Sequence, residues 1–346
     1  MTTQSAYVVE GTKKGDWKLS DRSPGGSSTG VAVGISAGFS PLGIGTETDG
    51  SLNTPASRAA LFALKVSVGS SSSQGVISIS STFDSLGGMG KTVKDVALLT
   101  DALLNNNAKA GFPGGLVNFL TDSWKGIRVG KSALDGAAQK IRAQGAFVVH
   151  PLHLLPATAL KLDDEPAMPI VMRYEFRELM DEYLSSYLEE SQTGTRHMRP
   201  RSFLKVTLCF YIRYRISMSD MYTDYPGQDL LASALEDQTP LEKVLRAREA
   251  VRRIATSGIN EALDEHNLQA IIATTDSPIS SLASSAGYPI ATVPLGRRNS
   301  NGRPFGAAIM TRAGDEGTLI QIMSAWEATF PKREIPTLFL NAKSEI

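Results

Sequence analysis

Residues 25–68 of the 346-residue chain read GGSSTGVAVGISAGFSPLGIGTETDGSLNTPASRAALFALKVSV, and the rest of the sequence is organised around them. The stretch is rich in glycine, serine and alanine. It opens on a serine pair, Ser27 and Ser28, behind two glycines. By count, 24 residues after Ser27 it reaches a second glycine–serine step, Gly50–Ser51, inside GTETDGS. This pattern predicts two tight turns, each presenting a hydroxyl, joined by a small-residue helix from about Thr29 to Gly38. Glycines at such turns take dihedrals that other residues disfavour, and they leave backbone N–H groups facing a ligand. Hydroxyls beside convergent backbone donors are the ingredients of acyl transfer, in which a serine attacks and the amides hold the oxyanion.

These residues resemble the amidase signature family, whose core motif is GGSS followed by a GT-(D/E)-T-(G/D)-G-S block. Gly45-Thr46-Glu47-Thr48-Asp49-Gly50-Ser51 is similar to the peptide-amidase-like branch, which writes TETDGS where most members write TDTGGS. The likeness continues through Gln74 to Ser80, Asp84 to Gly87 with Met89, Pro226 to Leu231, and Ala286 to Pro289. These blocks fall in the family's order and extend the match from about Ser23 to Leu338. One Gly–Ser turn alone would read best as a packing device; two at the family's spacing, with the later blocks, point to shared ancestry.

The resemblance implies an α/β fold with a mixed β-sheet core flanked by helices, lacking the family's N-terminal portion. Residues 1–22 then read as a polar N-terminal tail. Residues 23–338 read as a single amidase signature domain with a helical, variable middle at about 165–265. The family works through a serine–serine–lysine relay. Carried over residue by residue, the nucleophile is Ser51, and the bridging serine, beside a cis peptide bond, is Ser27. The N–H groups of Thr48, Asp49, Gly50 and Ser51 form the oxyanion hole, and Gly26 and Ser28 lie on the substrate-binding side. The implied reaction is hydrolysis of a carboxamide carbon–nitrogen bond through an acyl-serine, without cofactor or metal. The implied substrate is a small-molecule or peptide amide, and family members often pair as homodimers.

The sequence departs from the family at several positions. Asp49 stands where glycine is commoner, Asn53 where many members have arginine, and Val66–Ser67 where Pro–Thr is usual. The family's base is a neutral lysine many tens of residues before GGSS, whereas this chain starts 26 residues before Ser27. Lys13, Lys14 and Lys18 are the lysines upstream, in the polar context GTKKGDWK. A solvated lysine, with a pKa of about 10.4, is protonated at neutral pH and cannot serve as a base. Two readings therefore stand: an amidase-type hydrolase, and a catalytically inactive amidase remnant with a binding role or none.

Other motifs compete less well. Gly26-Ser27-Ser28-Thr29-Gly30 satisfies the G-x-S-x-G elbow with Ser28 as nucleophile, but Lys18 to Pro24 is not the apolar strand such an elbow follows. Ser85 to Thr92 ends like a P-loop, yet Ser85 replaces the first glycine. His150, His153, His197 and His266 sit in no distinctive context and read as surface or loop histidines.

Composition sets the remaining bounds. The chain is 42% hydrophobic and 20% charged, enough to build a sizeable core. Lys+Arg and Asp+Glu balance at 35 each, which leaves no footprint for nucleic acid or an anionic membrane. One cysteine, Cys209, excludes an internal disulfide framework and fits a reducing, cytoplasmic compartment. No apolar run reaches membrane-spanning length, and Met1 to Ser20 lacks a signal-peptide apolar block.

Periodicity and turn signals place further elements. Helices are expected at Pro55 to Phe62, Thr92 to Leu104, Ala133 to Ala143, Met172 to Glu190, from Thr239-Pro240-Leu241-Glu242 towards His266, and at Asp315 to Phe330. Strands are expected at Val76 to Ile79, Ile127 to Gly130, Ala146 to Val149, Ala270 to Ala273, Ile290 to Val293 and Phe305 to Met310. Lys205 to Ile216 is abruptly aromatic and β-branched, which suits a variable substrate-side segment or a stretch foreign to the ancestral protein.

Overall fold

Alternation of face along short apolar strands builds the sheet. In the computed structural model, residues 3–13, 20–132, 134–190 and 229–336 are described. They divide into two compact units. The first comprises Met1–Ser72, Ser85–Ala159 and Arg252–Ile346; the second comprises Ser73–Asp84 and Leu160–Val251.

The first unit holds an eight-stranded mixed sheet. Its strands are β1 (Leu42–Glu47), β2 (Phe62–Lys65), β3 (Ser85–Gly90), β4 (Arg128–Lys131) and β5 (Phe147–Val149), then β8 (Ala270–Thr274), β9 (Ile290–Arg297) and β10 (Pro304–Met310). They run in the order β1-β3-β2-β9-β10-β8-β4-β5. β4 pairs in parallel with β5 and β8, and the other neighbours are antiparallel. This is the α/β architecture that the motifs implied.

Two apolar clusters cover the sheet. Leu64 of β2 joins Val129, Ile272, Val293 and Ile309 against Val96 and Trp326, which lie on α3 (Val93–Leu103) and α10 (Glu316–Thr329). Ala63 and Met89 instead join Ala32, Ile35 and Ala56, from α1 (Thr29–Ser36) and α2 (Asn53–Arg58). Because side chains alternate along a strand, Lys65 lies on the face of Ala63, which is the face that carries α1 and α2. Elsewhere in this unit are α4 (Asn106–Lys109), α5 (Asp135–Ala143) and α9 (Ile279–Ala286).

The second unit contains the two-stranded hairpin β6 (Lys161–Leu162) and β7 (Glu165–Pro166), helices α6 (Ala167–Glu190) and α7 (Asp229–Glu236), and the start of α8 (Leu241–Asp264). Buried Glu175 of α6 gathers its polar contacts. It accepts from Thr82 N at 3.1 Å, Thr82 Oγ1 at 2.6 Å and Ser80 Oγ, and it pairs with Arg248. One carboxylate thus fastens the 73–84 loop to two helices.

Several sequence expectations change. Residues 5–8 are buried rather than tail-like: Tyr7 is 2% exposed, its hydroxyl donates to Glu334 O at 3.0 Å, and Arg333 Nη2 donates to it at 2.9 Å. Val76 to Ile79 is not a strand; Ile77 and Ile79 are exposed, and Ile79 N donates to Asp84 instead of to a neighbouring strand. The helix expected to Phe62 stops at Arg58, because Ala60 turns at φ +52° and the chain enters β2. β1 and β3 went unread because glycine is a poor strand former; pairing along Leu42↔Gly90 to Glu47↔Ser85 supplies the order instead. The P-loop-like residues Ser85 to Gly90 are β3. The 205–216 segment and Cys209 lie outside the described residues.

Candidate active site

Two chain reversals on the α1/α2 face bring the candidate serines into one neighbourhood. The first is Gly25-Gly26-Ser27-Ser28. Gly25 sits at φ +81°, the Gly26–Ser27 peptide bond is cis, and Thr29 Oγ1 donates to Gly25 O at 2.5 Å. Ser27 is exposed, at the start of α1. The second reversal is Thr48-Asp49-Gly50-Ser51, between β1 and α2, with Gly50 at φ +78°. A side chain there would be strained, and its Cβ would fall 3.1 Å from Thr54 Oγ1.

The two turns are fastened together through Ser28. Its N–H donates to Ser51 O at 2.9 Å. Its hydroxyl donates to Thr46 O at 3.1 Å and accepts from Thr46 N at 3.2 Å. Close approach requires Gly45 on β1, since a Cβ there would lie 2.8 Å from Ser28 Oγ and 2.9 Å from Leu52 Cδ1. Ser28 Oγ, the elbow motif's nucleophile, is thus held in backbone contacts.

None of residues 48–51 lies in a helix or strand. Among the described residues, the N–H groups of Gly50 and Ser51 meet no acceptor. Ser51 is half-buried and Thr48 is buried. Asp49 Oδ1 accepts from Ser281 Oγ at 2.8 Å.

Beneath this turn runs a buried polar network. Glu47 Oε2 accepts from Leu52 N at 2.9 Å and Asn53 N at 2.8 Å, and Glu47 Oε1 accepts from Asn53 Nδ2 at 2.8 Å. Glu47 therefore caps α2 immediately after Ser51, filling the role that an N-cap side chain usually plays. Asn53 Oδ1 in turn accepts from Thr292 Oγ1 at 2.6 Å. Burial raises the Glu47 carboxyl pKa, while the Lys65 charge and the three N–H donors oppose the rise. Lys65 itself is fully buried.

Lys13 is at the surface, 2.9 Å from Glu10, with over half of its side chain exposed. Lys14 and Lys18 lie outside the described residues. His150 has a partner the sequence did not signal: its Nε2 is 2.7 Å from Asp135 Oδ1. Among the described residues, no group of three or more His, Cys, Asp or Glu side chains could hold a metal ion. Sequence reading named Ser27, Ser51 and the amides, but it missed the underpinning by Glu47, Lys65 and Thr292. The signal available was an acidic residue inside a glycine-rich turn.

Two glycine–serine turns thus meet on one face of a mixed sheet, and in one of them the N–H groups of Gly50 and Ser51 meet no acceptor among the described residues. The Amidase family model matches residues 2–320, and the chain belongs to that family. A protein of Arabidopsis thaliana described as a probable amidase is 30% identical over 329 residues, covering 90% of this chain and 61% of that protein. The native peptide amidase of Stenotrophomonas maltophilia superposes with a TM-score of 0.77 at 28% identity, covering 96% of this chain and 73% of that one. An amidase family protein from Bacillus anthracis gives 0.76 at 25% identity, covering 91% and 62%. The chain thus spans about three fifths of the plant relative's length.

Proposed function

We propose that the chain carries the nucleophile and oxyanion parts of an amide-hydrolysing site. Ser51 attacks the carboxamide carbonyl, forming the acyl–oxygen bond as the carbonyl π electrons move to oxygen. The amides of Thr48, Asp49, Gly50 and Ser51 receive that oxyanion. Ser27 relays the Ser51 proton towards the leaving nitrogen, and collapse expels the amine. Water then releases the acid and restores Ser51. Gly26 and Ser28 border the substrate, with the Ser28 hydroxyl engaged by Thr46.

The observation that carries this reading is the Ser28 N to Ser51 O bond at 2.9 Å, which couples the two serine turns while the N–H groups of Gly50 and Ser51 stay open. Preorganised donors of this kind are worth roughly 3 kcal/mol each to a transition state. Lys13 is solvated and the Lys65 charge acts on the buried Glu47 carboxyl, so neither is assigned as the base. The substrate class is a small-molecule or peptide carboxamide, the location the cytoplasm, and the assembly a homodimer.

The test is release of ammonia or amine from a panel of primary carboxamides and anilides. Release by the wild-type chain, lost in Ser51→Ala, supports the proposal. The second reading, a catalytically silent relative, rests on the unassigned base; it predicts no release with any member of the panel.

A further inference from the structure

Asp49 places an acidic side chain inside the oxyanion turn. An oxyanion hole must favour developing negative charge, and a carboxylate in the same turn opposes it. The structure gives that carboxylate a defined place. Asp49 Oδ1 accepts from Ser281 Oγ at 2.8 Å. Ser281 is the third residue of α9, in the turn where backbone N–H groups lack intrahelical acceptors and negative charge is favoured. The same turn of α9 lies beside the neighbouring residue: a Cβ added to Gly50 would fall 3.7 Å from Ser280 Cβ. α9 therefore holds the oxyanion turn by a hydrogen bond at Asp49 and lies within van der Waals reach of any side chain added at Gly50.

We propose that Ser281 is a positioning residue, which draws the Asp49 carboxylate onto the first turn of α9 and so orients the amides of residues 48–51 towards substrate. This rests on the amide-hydrolase reading of the site. Ser281 acts through Asp49 and does not itself touch the reacting atoms. It also explains how an aspartate is accommodated where glycine is commoner: the charge is exported to a neighbouring helix.

The experiment uses the full chain and four variants: Ser281→Ala, Ser281→Thr, Asp49→Gly and the double variant Asp49→Gly/Ser281→Ala. A hydrogen bond to a carboxylate is worth enough that Ser281→Ala lowers kcat by about tenfold. KM moves by less than about twofold, since the loss falls on the transition state. Ser281→Thr, which keeps the hydroxyl, restores kcat. The double variant turns over faster than Ser281→Ala alone, because no misdirected carboxylate remains. Hydrogen–deuterium exchange over residues 45–54 gives an independent readout, faster in Ser281→Ala and restored in Ser281→Thr. Unchanged kcat together with unchanged exchange in Ser281→Ala overturns the proposal, as does a double variant no better than Ser281→Ala. If the wild-type chain releases no product, the hydrolase reading has failed and exchange alone decides: acceleration supports the positioning role, and no change overturns it.

Discussion

The main-chain N–H of Ser28 donates to the carbonyl oxygen of Ser51 at 2.9 Å, although α1 and β1 separate the two residues in the chain. The bond joins the turn that presents Ser27 to the turn that presents Ser51. Backbone, rather than side chain, sets the proximity of the two serine-bearing segments. A substitution at either serine should therefore alter chemistry before it alters architecture.

Ser28 tests that separation. Its hydroxyl both donates to and accepts from Thr46, so Ser28→Ala leaves two backbone groups without their partner. The expected cost is about 1–2 kcal/mol of stability, read from urea unfolding. Ser27→Ala, at an exposed position, should cost under about 0.5 kcal/mol while reducing turnover.

Gly50→Ala addresses the oxyanion turn. The residue sits at φ +78°, with Thr54 Oγ1 3.1 Å from the added methyl. The left-handed conformation alone costs roughly 1–2 kcal/mol for an alanine. Unfolding should register that cost, and amide hydrolysis should fall further than the stability loss explains.

Glu47 predicts a pH dependence. Burial raises its carboxyl pKa above the ordinary glutamate value, so the unfolded chain releases this proton first as pH climbs. Between the unfolded and folded values the unfolded state binds fewer protons, and this group's contribution to stability declines with rising pH. Glu47→Gln removes that segment of the profile. It also disturbs the cap on Leu52 and Asn53, at about 1–3 kcal/mol near neutral pH. Thermal melts of both proteins from pH 4 upwards should therefore show the gap between them narrowing as pH rises.

Tyr7 tests whether the residues before GGSS belong to the fold. Its hydroxyl links Glu334 O and Arg333, and the Arg297 guanidinium lies 4.7 Å from its ring centre. Tyr7→Phe keeps the ring and should cost about 0.5–1.5 kcal/mol. Tyr7→Ala should cost about 3 kcal/mol or more, as expected of a buried aromatic but not of a solvated tail.

Sequence patterns disclosed the elements whose own residues carry the signal. The helix expected from Thr92 to Leu104 is α3, and β8, β9 and β10 follow their apolar runs. The serine turns and the cis Gly26–Ser27 bond are where the motif resemblance put them. Hidden were features that depend on partners distant in sequence. β3 is glycine-rich and ordered only by strands on both sides, and Tyr7 is buried only because residues 333–334 return to cover it. Glu47 read as one letter of a motif, whereas its role depends on α2 folding back so that two amides meet its carboxylate. Asp49 likewise acquires its partner from α9, far along the chain.

The account's central claim is that Ser51 is an activated nucleophile. A fluorophosphonate probe, followed by peptide mapping of the adduct by mass spectrometry, tests it most directly. The account predicts stoichiometric modification on Ser51 in the wild-type chain and none in Ser51→Ala. An unmodified wild-type chain, or an adduct of equal yield on another residue in Ser51→Ala, would contradict it.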